Sequence, residues 1–385
     1  MRNAKGGLNR MGDLSSIKTK KIFVFDAEPG MVLAKDLIMS DGSLFMARGT
    51  VLDVDIISKI SGNHILEICI VDAPYSPPKS IESIQVAQEE QEQNATYYEK
   101  IRNTKSFKEF NKGYTIGISD LKTQLNEIAT KNIEIDEAAL LKNSEQLLST
   151  YTNRLQMFDF IHSLKAVDDL TYTHSINVAL VASIIGQWLH FSQEDVRIIT
   201  LCGLLHDVGK VIIPDEILYK PEKLTGEEFE IMKSHVNLGY DILKQKNIDA
   251  RVKEACLLHH EKCNGTGYPF GITNDKIPVY AKIIAVADIY DAMTSNRVYR
   301  GAVCPFTVIR MMEQECFSTL DPSITLPFLR NVVTSYLHTN VRLSDGQIGE
   351  VMLVNEMNLS RPTISCNGKF IDLSKTRDLM ITAII

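Results

Sequence analysis

The sequence predicts a mainly α-helical protein, with a small β-rich module before the helices and a short β-rich extension after them. Two observations carry this prediction. Apolar residues recur at helical spacing over the middle of the chain, and short apolar runs separated by turn residues lie on either side of it. The composition, 44% hydrophobic and 23% charged, is typical of a folded globular protein and excludes a disordered or fibrous one. A chain of 385 residues is long enough for two or three domains.

The first predicted domain, residues 1–75, is a β-rich accessory or regulatory module. Its apolar runs at 22–25 and 66–71 are separated by turn residues such as those at 28–30. We find no acidic pocket of the kind that accepts a phosphoryl group, so we interpret the module as a docking or dimerisation element. No pattern in it identifies a regulatory protein partner or the input that it senses.

A partly helical linker is predicted over residues 76–145. It begins in the proline-rich stretch 73–78 and continues into the Gln/Glu-rich residues 85–93, which are too polar to form a core. Helical spacing then starts near Leu121. The helix-rich linker suggests a homodimer.

Two further domains are predicted, a helical domain over residues 146–340 and a β-rich extension over 341–385. After residue 343 the helical spacing gives way to short apolar runs of the kind found in strands. These runs are 348–354, 363–366 and 379–385, and Asn367-Gly368 is a hairpin-turn signal.

The charge and the absence of targeting segments limit the classes of function. There are 41 basic and 48 acidic residues, a net charge of −7, which argues against a DNA- or RNA-binding protein that relies on a basic face. No apolar run approaches the roughly 18 to 20 residues that span a bilayer, and no apolar signal-peptide core follows the N-terminus. We therefore expect a cytoplasmic protein without a transmembrane segment, whose seven scattered cysteines are reduced thiols.

Histidines are concentrated in the helical domain, where six of the nine, including His190, lie between residues 174 and 260. The spacing places one set of candidates on each of several successive helices, which a bundle could bring to a shared metal centre. Any one histidine is more often a hydrogen-bonded structural residue, and we interpret His162, His190 and His338 in that way. The candidate ligands are His174, His206, Asp207, His235, His259, His260 and Asp288.

The adjacent pairs raise a geometric problem, because neighbours on a helix point about 100° apart and cannot both face one ion. Helix ends or two metals solve this. The carboxylate of Asp207 has two oxygens and could bridge two ions. His174 and His206, completed by Asp288, would then hold one ion, and the remaining three histidines would hold the other.

The motifs resemble those of a known family. The residues from His206 to Lys210, together with those from His259 to Pro269, are similar to the HD-GYP branch of the HD phosphohydrolases. The similarity runs from about Ala166 to Phe328 and includes Val286-Ala287-Asp288 and the stretch from Met293 to Arg300.

This resemblance implies a helical HD fold and hydrolysis of the second messenger cyclic di-GMP at a centre of two or three metals, often iron or manganese. The implied metal ligands are the seven residues above, and Lys210 is implied as a phosphate-binding or acid lysine. The implied substrate-binding residues are Lys210, Gly267, Tyr268, Pro269, Arg297 and Arg300. Glu261 and Asp291 are candidates for orienting the ligand imidazoles.

Two positions depart from the family pattern. Members with a third metal carry a glutamate four residues before the first histidine, where this chain has Leu170, so we expect two metals and not three. Asp169 would point to a different helix face and is not expected to replace it. The usual aspartate of the loop is Asn264 here, which keeps the turn propensity but loses the charge.

The predicted function is hydrolysis of cyclic di-GMP to linear pGpG, to GMP, or to both. The expected nucleophile is a hydroxide bridging two metals, with Asp207 and Lys210 as the catalytic residues. Iron and manganese are the metals implied, and mixed His/Asp ligation would also accept zinc. Two alternatives stay open: the same chemistry on the hybrid cyclic GMP-AMP, and a non-catalytic cyclic-dinucleotide sensor that the departures at Leu170 and Asn264 would favour.

Overall fold

The chain, seen in a computed structural model, divides into two units, residues 1–93 and 94–385. Each unit has its own cluster of buried apolar side chains. No helix in the described part of the chain has both the length and the apolarity to cross a membrane. The structure describes residues 19–24, 27–38, 44–61, 65, 67–71, 97–151, 153–164, 170–294, 303–376 and 378–385.

The N-terminal unit is β-rich, as the apolar runs predict. Its strands pair as two antiparallel ribbons, β1 with β4 and β2 with β3. One helix, which the apolar pattern did not predict, begins after Asp53, whose carboxylate accepts the amide N–H of Ile56 at 2.7 Å. The elements are β1 (Thr19–Phe23), β2 (Leu37–Ile38), β3 (Leu44–Met46), α1 (Val54–Ser61) and β4 (Glu67–Val71).

The second unit is mainly helical, as predicted, and its helices follow one another closely along the chain. Many begin at a side-chain N-cap, such as Ser192, Thr225 or Asp249, as expected for helix starts in a globular protein. The helices are α2 (Tyr97–Asn103), α3 (Lys105–Lys131), α4 (Glu137–Thr150), α5 (Arg154–Ser163), α6 (Leu170–Trp188), α7 (Gln193–Leu205), α8 (Asp215–Leu218), α9 (Gly226–Lys233), α10 (His235–Leu243), α11 (Ala250–Leu258), α12 (Val279–Thr294), α13 (Pro305–Glu315) and α14 (Pro322–Ser335).

Helices α2, α3 and most of α4 occupy residues that were predicted to belong to the linker 76–145. They pack into the main core, where Phe110 and Tyr114 of α3 are almost fully buried. The stripe of large apolar residues that continues through Leu121 and Leu125 explains this difference, because a stripe of this width needs a packing partner. The helical unit therefore begins near residue 97 and not at 146.

Helix α6 lies at the centre of this unit. Its residues from Ser175 to Ile185 are all buried, which is typical of a helix surrounded by others. Helix α7 crosses it closely, because a Cβ atom on Gly203 would overlap the backbone of Ala179. This close crossing brings the end of α7, where His206 lies, near His174 on α6.

The C-terminal residues form a five-stranded antiparallel sheet in the order β8-β7-β6-β5-β9, which confirms the predicted β-rich extension. The predicted turn at Asn367 and Gly368 joins β7 to β8, and both residues have the positive φ values that a tight hairpin requires. Buried sheet residues such as Val351 and Ile364 join the helical core. The strands are β5 (Asn340–Leu343), β6 (Ile348–Leu353), β7 (Thr363–Cys366), β8 (Lys369–Asp372) and β9 (Ile381–Ile384).

Candidate metal centre

The structure brings all seven candidate ligands together, and most of them lie at helix ends. Helix α7 ends at Leu205, directly before His206-Asp207, and α11 ends at Leu258, directly before His259-His260. His235 begins α10. Because the chain leaves the helix at these points, adjacent side chains can face the same space. The other two candidates, His174 and Asp288, lie within α6 and α12.

Three of these histidines use the same local hydrogen bond. The Nδ1 atoms of His206, His235 and His259 lie 2.7, 2.8 and 2.9 Å from the carbonyl oxygens of Gly203, Met232 and Cys256, in each case three residues earlier. Carbonyl groups in the last turn of a helix have no partner within the helix, so they are free to accept an imidazole N–H. The bond fixes the proton on Nδ1 and turns Nε2 towards the centre.

Asp207 lies between the two groups of histidines, with one oxygen facing each. Its Oδ1 is 3.3 Å from Nε2 of His235 and 3.8 Å from Nε2 of His259. Its Oδ2 is 3.2 Å from Nε2 of His206 and 3.7 Å from Nε2 of His174. The carboxylate is 1% exposed, and this arrangement is the one that a bridging ligand needs.

Several buried atoms of the site make no hydrogen bond of good geometry with any described residue. They are Nε2 of His206, His235 and His259, together with Oδ1 of Asp207. Buried polar atoms are normally paired, because leaving them unpaired is costly. All four carry lone pairs, and they belong to two sets whose ligand atoms lie within 4.8 Å of one another. The residues therefore fit a metal centre.

The pKa values on one side of the site favour neutral imidazoles. Burial lowers the pKa of His235, holds that of His259 well below its usual value, and lowers that of His260 to about 3. Burial opposes ionisation of Asp207, but His206 and Lys210 outweigh it and hold the pKa of its carboxyl well below the usual value. Neutral imidazole and ionised carboxylate are the metal-binding forms.

His174 is supported in a different way, by a side chain from another helix. Its Nδ1 donates to Oδ2 of Asp291 at 2.7 Å, and its Nε2 lies 3.0 Å from Oδ1 of Asp288. Burial lowers the pKa of His174, but these two carboxylates outweigh it and raise the pKa to about 10. Asp291 thus has the orienting contact that was anticipated from the sequence.

The loop after His260 is held by Glu261, a role that differs from the expected one. Glu261 is 4% exposed, and its carboxylate accepts the backbone N–H groups of Phe270, Gly271 and Ile272 at 2.7 to 3.1 Å. Among the described residues, its hydrogen bonds go to these amides and not to a ligand imidazole. The sequence does not predict this role, because a glutamate next to a histidine pair could accept a hydrogen bond either from an imidazole or from a backbone amide, and the residue type is the same in both cases.

Tyr268 lies against the candidate ligands from the loop side. Its ring is tilted by 31° over that of His260, with 4.7 Å between the ring centroids. The loop passes close to its own beginning, because a Cβ atom on Gly267 would overlap the backbone of Glu261 and Lys262. Glycine is therefore required there, and the Tyr268-Pro269 peptide bond is cis.

Two lysines lie beside the cluster. The ammonium group of Lys210 donates to Oδ2 of Asp207, and a Cβ atom on the preceding Gly209 would overlap the carbonyl oxygen of His235, so this turn packs tightly against α10. Lys233, which was not among the candidates from the sequence, lies 5.8 Å from the ring centroid of Tyr268 and 2.7 Å from Glu230. Its position two residues before the candidate ligand His235 is the sequence feature that could have indicated that Lys233 lies near the site.

The remaining predicted positions lie mostly outside the described residues. These are Arg297, Arg300 and Asp169, together with the side chain of Leu170. Nucleotide binding by the two arginines therefore stays a prediction. So does the expected number of two metals, which depends on position 170. The side chain of Asn264 accepts the backbone N–H and the hydroxyl of Thr266 at 3.1 and 2.7 Å. It therefore shapes its own turn, as its turn propensity indicated.

Comparison with known proteins identifies the domain that carries this site. Residues 137–324 match the HD domain family, and this range includes all seven candidate ligands. The chain carries an HD domain. The predicted HD-type domain is therefore confirmed, and the helices that position the ligands are those of this family.

About half of the chain is similar to curated phosphodiesterases. A cyclic di-GMP phosphodiesterase of Pseudomonas aeruginosa is 37% identical over 202 residues, which cover 52% of this chain and 49% of that protein. A 3'3'-cGAMP-specific phosphodiesterase of Vibrio cholerae is 32% identical over 206 residues, 52% of this chain and 38% of that protein. The chain thus spans about half, or less, of the length of these relatives.

A solved structure shows a similar fold over more of the chain. It is that of Bd1817, a HDG"Y"P protein from Bdellovibrio bacteriovorus, with a TM-score of 0.54 and 13% identity. The match covers 81% of this chain and 98% of that one. At this identity the similarity concerns the fold alone, and it supports the mainly helical architecture with small β modules.

Proposed function

We propose that this chain is a metal-dependent phosphodiesterase that hydrolyses cyclic di-GMP to linear pGpG, to GMP, or to both. The observation that carries the proposal is the placement of Asp207, whose two oxygens face two separate groups of histidines. Three of these histidines have a buried Nε2 atom without a hydrogen-bond partner among the described residues: His206, His235 and His259. The 37% identity to a curated cyclic di-GMP phosphodiesterase supports the choice of substrate.

Two ions, iron or manganese with zinc as a third candidate, suit these imidazole and carboxylate ligands. His174, His206 and Asp288 would hold one ion, the remaining three histidines would hold the other, and Asp207 would contact both. When bound, such ions lower the pKa of a coordinated water and offset negative charge on a phosphoryl group. With leucine at position 170, we propose two ions and not three.

The chain's own residues supply the rest of the chemistry. Asp207 is buried and ionised, so it fixes the distance between the two groups of histidines. The side chain of Lys210 is 21% exposed at the edge of the cluster. From there it can move from Asp207 to a non-bridging phosphoryl oxygen, or give a proton to the leaving oxygen.

The loop of Gly267, Tyr268 and Pro269 forms the proposed substrate side of the site. The ring of Tyr268 offers a stacking surface for a purine, and Lys233 adds a positive charge next to it. We propose that Arg297 and Arg300 complete this side by holding phosphate or a guanine edge. Because the net charge of the whole chain is −7, an anionic small-molecule substrate has to be held by local positive charge of this kind.

Cyclic GMP-AMP is the second candidate substrate. The 32% identity to a 3'3'-cGAMP-specific phosphodiesterase favours it, and the loop sequence carries no pattern that indicates guanine rather than adenine. The proposed location is the cytoplasm, where all seven cysteines, which are unpaired in the structure, would stay reduced. A homodimer and the input read by the N-terminal unit stay predictions.

The test is to purify the protein without oxygen, measure metal per chain, load it with iron or manganese, and follow both cyclic dinucleotides by chromatography. About two metals per chain and turnover that Asp207→Ala abolishes would support the enzyme. The preferred substrate is the one with the higher kcat/KM. Binding of either nucleotide without turnover under every metal would contradict the proposal and favour the sensor.

A further inference from the structure

A chain of hydrogen bonds runs from the candidate metal centre to a helix that precedes the HD domain. It begins at His174, whose Nδ1 donates to Oδ2 of Asp291 at 2.7 Å. The other oxygen, Oδ1, accepts from Nδ2 of Asn177 at 2.8 Å. The hydroxyl of Tyr114 then donates to Oδ1 of Asn177 at 2.6 Å and also lies 3.2 Å from the carbonyl oxygen of Thr173.

The direction of each bond in this chain is fixed by chemistry. A carboxylate only accepts hydrogen bonds, so the amide nitrogen of Asn177 must face Asp291. The amide oxygen of Asn177 then faces Tyr114, whose hydroxyl therefore donates. With one oxygen already occupied by Asn177, the other oxygen of Asp291 accepts from His174. Asp291 therefore holds a proton on Nδ1 of His174, so Nε2, which lies 3.0 Å from Oδ1 of Asp288, is the ring atom that would bind metal after losing its own proton.

All three supporting side chains are buried. Tyr114 is 1% exposed, and Asn177 and Asp291 are each 3% exposed. Water does not compete for these bonds at such positions, and a missing partner would leave a polar group unpaired. Each bond in the chain therefore constrains the orientation of the next side chain.

Tyr114 also lies outside the region that matches the HD domain family, residues 137–324. It belongs to α3, Lys105–Lys131, which packs against α6 with its apolar stripe. The helix thus contributes a polar contact as well as apolar packing, and this contact ends at a candidate ligand.

We propose that Tyr114 and Asn177 are positioning residues of the metal centre, and that α3 is therefore part of the machinery that sets metal affinity. The proposal rests on the proposed metal centre, since Tyr114 acts on the ion only through Asn177, Asp291 and His174. It predicts that an HD domain cut at the family boundary binds metal more weakly than the whole helical unit.

The test measures Mn²⁺ affinity of the full chain in the absence of substrate, with free Mn²⁺ counted by electron paramagnetic resonance. Asp291→Asn should weaken binding of the ion at His174 by about 10- to 100-fold. Tyr114→Phe should weaken it by about 2- to 10-fold, the range expected for one buried hydrogen bond. The matched control is Tyr336→Phe, which removes an equally buried hydroxyl that lies 3.4 Å from Nδ1 of His162, and it should leave affinity unchanged.

A double-mutant cycle separates this role from a general loss of stability. If Tyr114 acts through Asp291, Tyr114→Phe should change affinity by less than about 2-fold in the Asp291→Asn background. If Tyr114→Phe does not fold, the double variant Tyr114→Phe/Asn177→Leu removes both ends of their hydrogen bond, and we expect it to weaken Mn²⁺ binding by about 10-fold.

Three outcomes would overturn the proposal: wild-type affinity in Tyr114→Phe, an equal loss in Tyr336→Phe, or additive effects in the cycle. None of these outcomes would contradict the proposed metal centre, because the wild-type protein would still bind Mn²⁺. A wild-type protein that binds no Mn²⁺ would instead contradict the proposed function, and the positioning role with it.

Discussion

The candidate histidine inside a helix and the three candidate histidines at helix ends are supported by different means. His206, His235 and His259 each donate to a carbonyl oxygen three residues earlier. His174 lies inside α6, where the carbonyls are already used by the helix, and it donates instead to Asp291, 117 residues away. The helix-end ligands are therefore oriented by local sequence, whereas the interior ligand depends on how distant helices pack.

Asp207→Ala should have the largest effect, because it removes the one ligand that both groups share. We expect kcat/KM to fall by at least about 1000-fold, together with loss of metal, since two groups of buried imidazoles would no longer be joined by a carboxylate. Turnover and metal per chain measure this. Asp241→Ala, an exposed acid on α10, is the control, and an Asp207→Ala protein with full metal and activity would refute the bridging role.

Single ligand replacements distinguish the two groups. His174→Gln should leave the ion held by the helix-end histidines His235 and His259, and His259→Gln should leave the other ion. Metal analysis should therefore give about one metal per chain in each variant, compared with about two in the parent. His338→Gln, which changes an exposed histidine paired with Glu350, should retain both ions. A variant that keeps two ions would show that the groups are not separate sites.

Glu261→Gln tests the hydrogen bonds that hold the loop after His260, which are separate from the hydrogen bonds that orient the candidate ligands. Glutamine keeps one acceptor oxygen, but its NH₂ group cannot accept the N–H of Ile272, so at least one loop amide loses its partner. We expect KM for the cyclic dinucleotide to rise by about 3- to 10-fold, in line with loss of one bond to a charged group, while metal content is unchanged. The exposed Glu227→Gln is the control, and a drop in metal content would contradict this assignment.

Lys233→Met should have the smallest effect, because Lys233 lies beyond Tyr268 and contacts no candidate ligand in the described part of the chain. We expect KM for cyclic di-GMP to rise by a few-fold, less at high salt. Turnover of bis(p-nitrophenyl) phosphate, which has one phosphate and no purine, should not change. Lys244→Met is closely matched, since Lys244 also pairs with an acid three residues earlier. An equal loss of kcat/KM on both substrates would contradict this prediction and would indicate that Lys233 contacts the reacting phosphate.

The features that the sequence predicted well are those encoded over short distances. The helix-end pairs His206-Asp207 and His259-His260, the loop glycines, and the hairpin turn at Asn367 all depend on a few neighbouring residues. The convergence of the seven candidate ligands was also predictable, because histidines placed on several successive helices can meet inside a helical bundle. Their role as metal ligands stays a prediction.

The features that the sequence did not predict depend on long-range packing. Tyr114 and Asn177 are 63 residues apart, and nothing in the local sequence of either indicates the other. The linker was assigned too far along the chain, because the polar residues before α3 obscured the apolar stripe that joins it to the core. Glu261 was expected to orient an imidazole, but its three partners are backbone amides. Every non-proline residue has a backbone amide, so the residue types of the loop do not indicate this contact.

The hydrogen bond from an imidazole to the carbonyl three residues earlier has a consequence for protein engineering. It needs no partner residue, because the acceptor belongs to the backbone of a helix end. A designer who places a histidine within two residues of a helix end, with a backbone carbonyl three residues earlier, therefore obtains a ligand whose tautomer and direction are already set. Three such helix ends, converging as α7, α9 and α11 do here, would specify most of an ion-binding site before any second side chain is chosen.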